Sequence, residues 1–243
     1  MTDVEFSIIM PAFNAADHIG TVLDRIPAVL QPSIKNIWIV NDGSKDLTGA
    51  MADTLALKNG SVRPVHFDKN RGYGAALKKG LSLCKDDGCE VAVCLHADGQ
   101  YPPEVIPDAI RIMREKSFDI MQGSRIASGT ALSGGMPVYK FLANRALTFF
   151  ENIVFGLSMT DYHSGMLFYS RRAIKNLPFD SFSDSFDFDV EVIASARAHR
   201  YKIGELPIPT HYGSEISHVH SVFYGLQVVN VMRKYLRGRY SNP

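Results

Sequence analysis

The stretch that decides the fold is Val91-Ala92-Val93-Cys94-Leu95-His96-Ala97-Asp98-Gly99-Gln100. Five consecutive apolar residues closed by a polar, glycine-bearing turn read as a buried strand. Residues 72–83 before it carry a helical pattern, and a helix ending near Glu115 follows the Pro102-Pro103 turn. The alternation extends towards the N-terminus. Phe6-Ser7-Ile8-Ile9-Met10 is a short apolar run closed by Pro11; the next helix shows Ile19, Val22, Leu23 and Ile26 on one face, with Asp17 placed to cap it. Ile37-Trp38-Ile39-Val40 is a strand stopped by Asn41-Asp42-Gly43-Ser44; a helix over 50–57 and a strand over 62–67 follow, and Ile120-Met121 starts a fifth strand. Strands alternating with helices predict an α/β fold with a Rossmann-like, doubly wound, mainly parallel sheet. Ligands bind outside the carboxyl ends of such strands. The polar clusters after Met10, Val40, Phe67 and Leu95 are therefore expected to meet along one edge.

Beyond about residue 125 the pattern loosens into a glycine-rich loop (128–136), a helix (138–155), a strand (161–170), a helix (187–199) and a strand (201–207). The loops 128–136 and 211–220 are candidates for mobile covers over a site. With 243 residues, 46% apolar and 21% charged, the chain fits one domain with a full core, which excludes disorder and small disulfide scaffolds. A net charge of +1 gives no global field, so no nucleic-acid partner is expected. Cys84, Cys89 and Cys94 are odd in number and lack paired zinc spacing, as reduced thiols of a cytoplasmic protein would. Two acids precede the first apolar run, unlike a secretory signal. The most hydrophobic stretch, 141–159, is interrupted by Arg145 and Glu151, so no membrane span is expected.

Asp98 and Gln100 lie two residues apart at a strand end and point the same way. Hard oxygen ligands at that spacing suit Mg²⁺ or Mn²⁺ on a diphosphate; the alternative is an Asp-Gly turn with a solvated carboxylate. Asn41-Asp42-Gly43-Ser44 is open to the same turn reading. Pro11-Ala12-Phe13-Asn14 offers an aromatic face for a base and an amide, although Phe13 alone reads equally as core. Asn70-Arg71-Gly72-Tyr73-Gly74 lacks the third glycine of a dinucleotide loop, because position 77 is leucine; this argues against a nucleotide-dependent oxidoreductase.

In order, Phe6 to Asn14, Val40 to Thr48, Asn70-Arg71-Gly72 and His96 to Gln100 make a set that resembles the family-two glycosyltransferases of the A-type fold. Within them the chain is most similar to the dolichol-phosphate mannosyltransferase and polyprenyl-phosphate glycosyltransferase branch. Gly123-Ser124-Arg125, Ser164-Gly165-Met166 and Phe186 to Glu191 extend the likeness, which covers roughly residues 5–210. The resemblance implies a single domain over 1–215, with a nucleotide-binding half to about 125 and an acceptor half beyond it. A C-terminal amphipathic basic helix would occupy 216–243. It also implies inverting, Mn- or Mg-assisted transfer from a nucleoside-diphosphate sugar to a polyprenyl phosphate, in cell-envelope or glycan biosynthesis. Transfer to a hydroxyl of a glycan or small molecule, or a non-catalytic sugar-nucleotide module, are the alternatives.

By the same resemblance Pro11, Ala12, Phe13, Asn14, Asn70, Gly72, His96 and Ala97 would line the nucleotide-sugar pocket, with Val40 and Asp42 against the base. Asp98 and Gln100 would hold the metal, and Arg125 a donor or acceptor phosphate. Ser217 and His218 stand where the mannosyltransferases present basic residues, and are expected near the acceptor phosphate. Asp187 falls where hydroxyl-using relatives keep an acidic base, and reads equally as a helix cap. Three departures are visible: His96 replaces the first acidic residue of the metal motif, Ala15 stands where relatives often have Glu, and Ser217, His218 and His220 take the place of the basic residues near the C-terminus. After Glu215 the tail has no acid; Val222, Phe223, Leu226, Val229 and Met232 sit beside Arg233, Lys234, Arg237 and Arg239. Such a helix either lies on an anionic membrane surface or packs on the domain. The expected location is the cytoplasm, with peripheral attachment at the inner face of the cell membrane.

Overall fold

The computed structural model describes residues 4–209 and 221–241. Seven strands make one sheet: β1 (Phe6–Ala12), β2 (Ile34–Asn41), β3 (Val62–His66), β4 (Val91–Cys94), β5 (Ile120–Ser124), β6 (Leu167–Ser170) and β7 (Ile203–Pro207). Their spatial order is β3-β2-β1-β4-β6-β5-β7. All pairings are parallel except those of β6, which runs antiparallel to both β4 and β5.

The helices are α1 (Ile19–Asp24), α2 (Thr48–Lys58), α3 (Tyr73–Asp87), α4 (Ile106–Lys116), α5 (Val138–Phe155), α6 (Arg171–Asn176), α7 (Phe188–Ala198) and α8 (Ser221–Leu236). Strand alternation divides the core into two layers. On β1, Phe6, Ile8 and Met10 face the layer completed by α1 and α4, through Ile19, Val22, Ile106 and Ile110. Ile9 faces the opposite layer with Leu77, Phe155, Phe188 and Val231 from α3, α5, α7 and α8. The two layers make one domain over the described residues.

Two local expectations are corrected. Asp17 does not cap α1: His18 occupies that position, and no side chain bonds there. The nearby N–H groups are served across space, Ala15 N donating to Thr48 Oγ1 at 2.8 Å and Ala16 N to Asp46 Oδ2 at 3.3 Å. The strand expected over 161–170 begins only at Leu167. Before it, the Thr160 and Asp161 N–H groups donate to the Glu205 carboxylate, and Gln122 Nε2 donates to Ser164 O. Side chains thus supply the partners that a ladder would have given.

Candidate active site

The four polar clusters do meet. A cleft of about 1480 Å³ runs along the carboxyl ends of the strands. Pro11 to Asn14 enter it from β1, Asp42 from β2, Asn70 and Gly72 from the loop after β3, His96, Ala97, Asp98 and Gln100 from β4, and Arg125 from β5. Val40 is the exception: its side chain is fully buried in the sheet and forms no wall of the cleft. Ser217, His218 and the loop 211–220 lie outside the described residues. A smaller hollow between Leu30 and Arg111 gathers none of these groups.

The loops are welded to one another by side chains. Asn14, at φ 50°, donates its N–H to Ser44 Oγ at 2.9 Å, and its Oδ1 accepts from Lys45 N at 3.0 Å. The buried Asp42 carboxylate accepts from Arg71 N at 2.7 Å and Gly72 N at 2.9 Å, tying the end of β2 to the entry of α3. Gly72 has φ 102°, and a Cβ there would lie 2.3 Å from the Asp184 carbonyl oxygen, so only glycine lets the 183–184 loop approach this closely. At the end of β4, Asp98 Oδ1 accepts from Gln100 N at 3.0 Å. The Asp-Gly turn is real, and it holds Asp98 and Gln100 on the cleft wall, both half-buried.

His96 belongs to a chain that sequence did not reveal. Its Nε2 lies 3.0 Å from the Tyr73 hydroxyl, which donates to Asp189 Oδ2 at 2.9 Å. Burial, assisted by the Arg125 cation, holds the His96 imidazole below its ordinary pKa. Burial also pushes the Asp189 carboxyl up to about 7, with Asp187 adding to the rise and the Tyr73 hydrogen bond opposing it. Asp189, not Asp187, reaches the cleft. Asp187 sits at the N-cap of α7 without making a side-chain cap, and burial raises its carboxyl as well. The structure therefore sets aside the capping reading. Two residues along a helix turn by about 200°, so only one of these acids can face the site.

Arg125 is held over the cleft by Nη2 donating to His163 O at 2.9 Å, with Asp161 Oδ2 3.9 Å from its Nε. Behind it lies a second unforeseen cluster. Glu151 Oε2 is 3.1 Å from His163 Nε2, and His163 Nδ1 is 2.9 Å from the Tyr224 hydroxyl. Burial opposes charge on His163, but Glu151 beside it outweighs that and raises its pKa. Their positions 151, 163 and 224 show no common sequence pattern; only the packing of α5 and α8 joins them.

Helix α8 packs on the domain through buried Val228, Val231 and Met232. Buried Glu191 accepts from Lys234 Nζ at 2.7 Å and Tyr240 Oη at 2.6 Å, so one of the four tail cations is committed to an internal acid. The cysteines are free and buried. Cys84, Asp87 and Cys89 approach one another, but Asp87 already accepts from Ser7, Asn36, Trp38 and the Cys89 N–H, which leaves it ill-suited to a metal.

A doubly wound sheet with a large cleft at its strand ends, lined by an acid, an amide and an arginine, is the arrangement in which α/β enzymes bind their ligands. Residues 7–177 match Glycosyl transferase family 2, and the chain belongs to that family; it is a glycosyltransferase. It is 28% identical over 250 residues to the UDP-N-acetylglucosamine–dolichyl-phosphate N-acetylglucosaminyltransferase of Methanococcus voltae, covering 95% of this chain and 98% of that one. It is likewise 28% identical over 235 residues to the undecaprenyl-phosphate mannosyltransferase of Micrococcus luteus, covering 96% and 94%. The fold matches that of glucosyl-3-phosphoglycerate synthase from Mycobacterium tuberculosis, crystallised with Mn²⁺, UDP-glucose and phosphoglyceric acid. The TM-score is 0.68 at 17% identity, covering 99% of this chain and 81% of that one.

Proposed function

We propose that the protein transfers a sugar from a nucleoside-diphosphate sugar to a polyprenyl phosphate, with inversion and with a divalent cation, Mn²⁺ or Mg²⁺. The observation that supports the reading is the gathering of Asp98, Gln100 and Arg125 in one cleft at the strand ends. The names of the two relatives support the acceptor.

The donor set fits a hard cation. One carboxylate and one amide oxygen on the cleft wall leave coordination positions for diphosphate oxygens and water, as Mg²⁺ and Mn²⁺ prefer. His96 Nε2 is engaged by the Tyr73 hydroxyl at 3.0 Å. When bound, the cation neutralises charge developing on the leaving diphosphate. Phe13, 37% exposed on the cleft, offers its face to the base, beside Pro11, Ala12 and Asn70. Arg125 meets phosphate with a planar, permanently charged group whose orientation is fixed by its bond to His163 O. An acceptor phosphate oxygen is already an anion. It attacks the anomeric carbon from the face opposite the diphosphate; the new C–O bond forms as the old one breaks, the nucleoside diphosphate takes the electron pair, and no proton moves. The reaction belongs at the cytoplasmic face of a membrane.

Asp189 favours a second reading. A hydroxyl acceptor must lose a proton, and a cleft carboxyl with pKa about 7 is suited to take it. The role expected for Asp187 passes to Asp189 on this reading. With a phosphate acceptor, Asp189→Asn retains substantial transfer and Arg125→Ala loses it. A loss of roughly 10²–10⁴-fold in Asp189→Asn, with unchanged melting, contradicts the phosphate reading.

A further inference from the structure

An acid–imidazole–phenol chain, Glu151–His163–Tyr224, reaches the cleft from α5 and α8. Glu151 is fully buried, its Oε2 lies 3.1 Å from His163 Nε2, and no other described residue hydrogen-bonds its carboxylate. On the far side of the ring, His163 Nδ1 lies 2.9 Å from the Tyr224 hydroxyl. The main chain of the same histidine is engaged as well. Its N–H donates to Asp161 Oδ1 at 2.9 Å, and its carbonyl accepts from Arg125 Nη2 at 2.9 Å. Arg125, His163 and Tyr224 all line the cleft. One residue thus holds the arginine through its carbonyl and the phenol through its ring.

The proton on that ring decides what the phenol can do. The groups facing His163 are Glu151, Asp161, Arg125 and Tyr224. Burial and Arg125 oppose a charge on the imidazole, Glu151 and Asp161 favour it, and the balance raises its pKa. A buried carboxylate is costly without a countercharge, so Glu151 keeps the proton on His163. An imidazolium has two N–H donors and no acceptor. With Nε2 towards Glu151, its Nδ1–H donates to the Tyr224 oxygen, and the phenol is left to give its own O–H to the cleft. Burial, with Glu151 adding, pushes the Tyr224 phenol well above its ordinary range, so that proton stays in place. In the neutral ring Nδ1 is an acceptor, and Tyr224 turns its O–H onto it instead.

We propose that Tyr224, held in its donor orientation by Glu151 and His163, hydrogen-bonds the phosphate that Arg125 binds, and that this phosphate belongs to the acceptor. The assignment to the acceptor rests on the polyprenyl-phosphate reading; the donor orientation does not. His163 and Tyr224 enter the cleft from the second half of the chain, whereas Pro11 to Asn14, Asp98 and Gln100 enter from the first. Tyr224 is the contact, and Glu151 and His163 are positioning residues.

The test is calorimetric binding of a short-chain, water-soluble prenyl phosphate, from pH 7 to pH 10, to the parent, Tyr224→Phe and Glu151→Gln, with a melting scan of each. The ligand is a dianion throughout that range. At pH 7 Tyr224→Phe should bind at least about tenfold more weakly than the parent, as a lost hydrogen bond to a charged group requires. The ratio should shrink towards one as pH climbs through the raised His163 pKa, because the parent then loses the same donor. Asp189 titrates in both proteins, so the ratio isolates the hydroxyl. In Glu151→Gln the parent's loss of affinity should move to lower pH. A second arm uses a nucleoside diphosphate with Mn²⁺, whose binding Tyr224→Phe should leave within about twofold. Equal prenyl-phosphate binding by parent and Tyr224→Phe at pH 7 overturns the proposal, as does a ratio that ignores pH or a Glu151→Gln profile identical to the parent's. A loss confined to the nucleoside diphosphate refutes the acceptor assignment. Parent binding that shows the predicted ratio without sugar transfer to the prenyl phosphate upholds the contact and refutes the proposed reaction. Transfer that persists undiminished in Tyr224→Phe, with equal binding, does the reverse.

Discussion

Replacing Asp189 by Asn should make the protein more stable in alkali than its parent, relative to acid. Asp189 is 5% exposed and its carboxyl titrates near 7 rather than at 3.8. A pKa raised by folding means that the folded chain binds the proton more tightly. The stabilisation is fully present below the unfolded value and is lost as pH climbs through the folded one. The whole rise from 3.8 to about 7 is worth about 4 kcal/mol, at about 1.36 kcal/mol for each pH unit. The portion that titrates between pH 5 and pH 8 spans about two pH units and is worth about 3 kcal/mol. Asn cannot ionise, and its oxygen still accepts from Tyr73. Any fixed penalty of its amide group is the same at both pH values and cancels. Urea titrations of both proteins at pH 5 and pH 8 should show the variant gaining about 3 kcal/mol on the parent across that interval, roughly 6–12 °C in thermal midpoint for a chain of this size. If the difference between the two proteins is the same at both pH values, Asp189 is not the buried, neutralised carboxyl described above.

Asp98→Ala should abolish the rise in thermal midpoint that a nucleoside diphosphate produces with Mn²⁺, while the free protein loses only about 1 kcal/mol with the turn hydrogen bond. Gly72→Ala forces a side chain into φ 102° and against the Asp184 carbonyl, and should destabilise by about 2 kcal/mol or more in denaturant titration. Glu191→Ala strands the Tyr240 hydroxyl and the Ser183 N–H and should cost about 2–3 kcal/mol, read as a lower midpoint in urea. Lys234, 39% exposed on its side chain, recovers water and limits the loss.

Sequence revealed what depends on local pattern. Short, continuous apolar runs such as Val91 to Leu95, closed by turn residues, read as buried strands, and the polar loops that end them share an edge where the sheet is parallel. What stayed hidden depends on pairs brought together by packing. Tyr73 and Asp189 are 116 residues apart, and no rule of spacing joins them. The choice of Asp187 over Asp189 turned on which side of a helix faces the cleft, and that depends on where α7 begins. On α5 the periodicity located the helix correctly, over 138–155, but periodicity does not say which face turns inward. Val40 lies one residue short of the end of β2 and is fully buried, and on that strand the cleft begins only at Asp42.

The central claim is tested most directly by incubating the purified protein with a panel of nucleoside-diphosphate sugars and a polyprenyl phosphate, with Mn²⁺ or with chelator, and weighing the lipid product by mass spectrometry. A polyprenyl phosphate heavier by one sugar residue, formed with Mn²⁺, absent with chelator and absent in Arg125→Ala, is the predicted result. Transfer to a glycan hydroxyl with the polyprenyl phosphate left unmodified would contradict it.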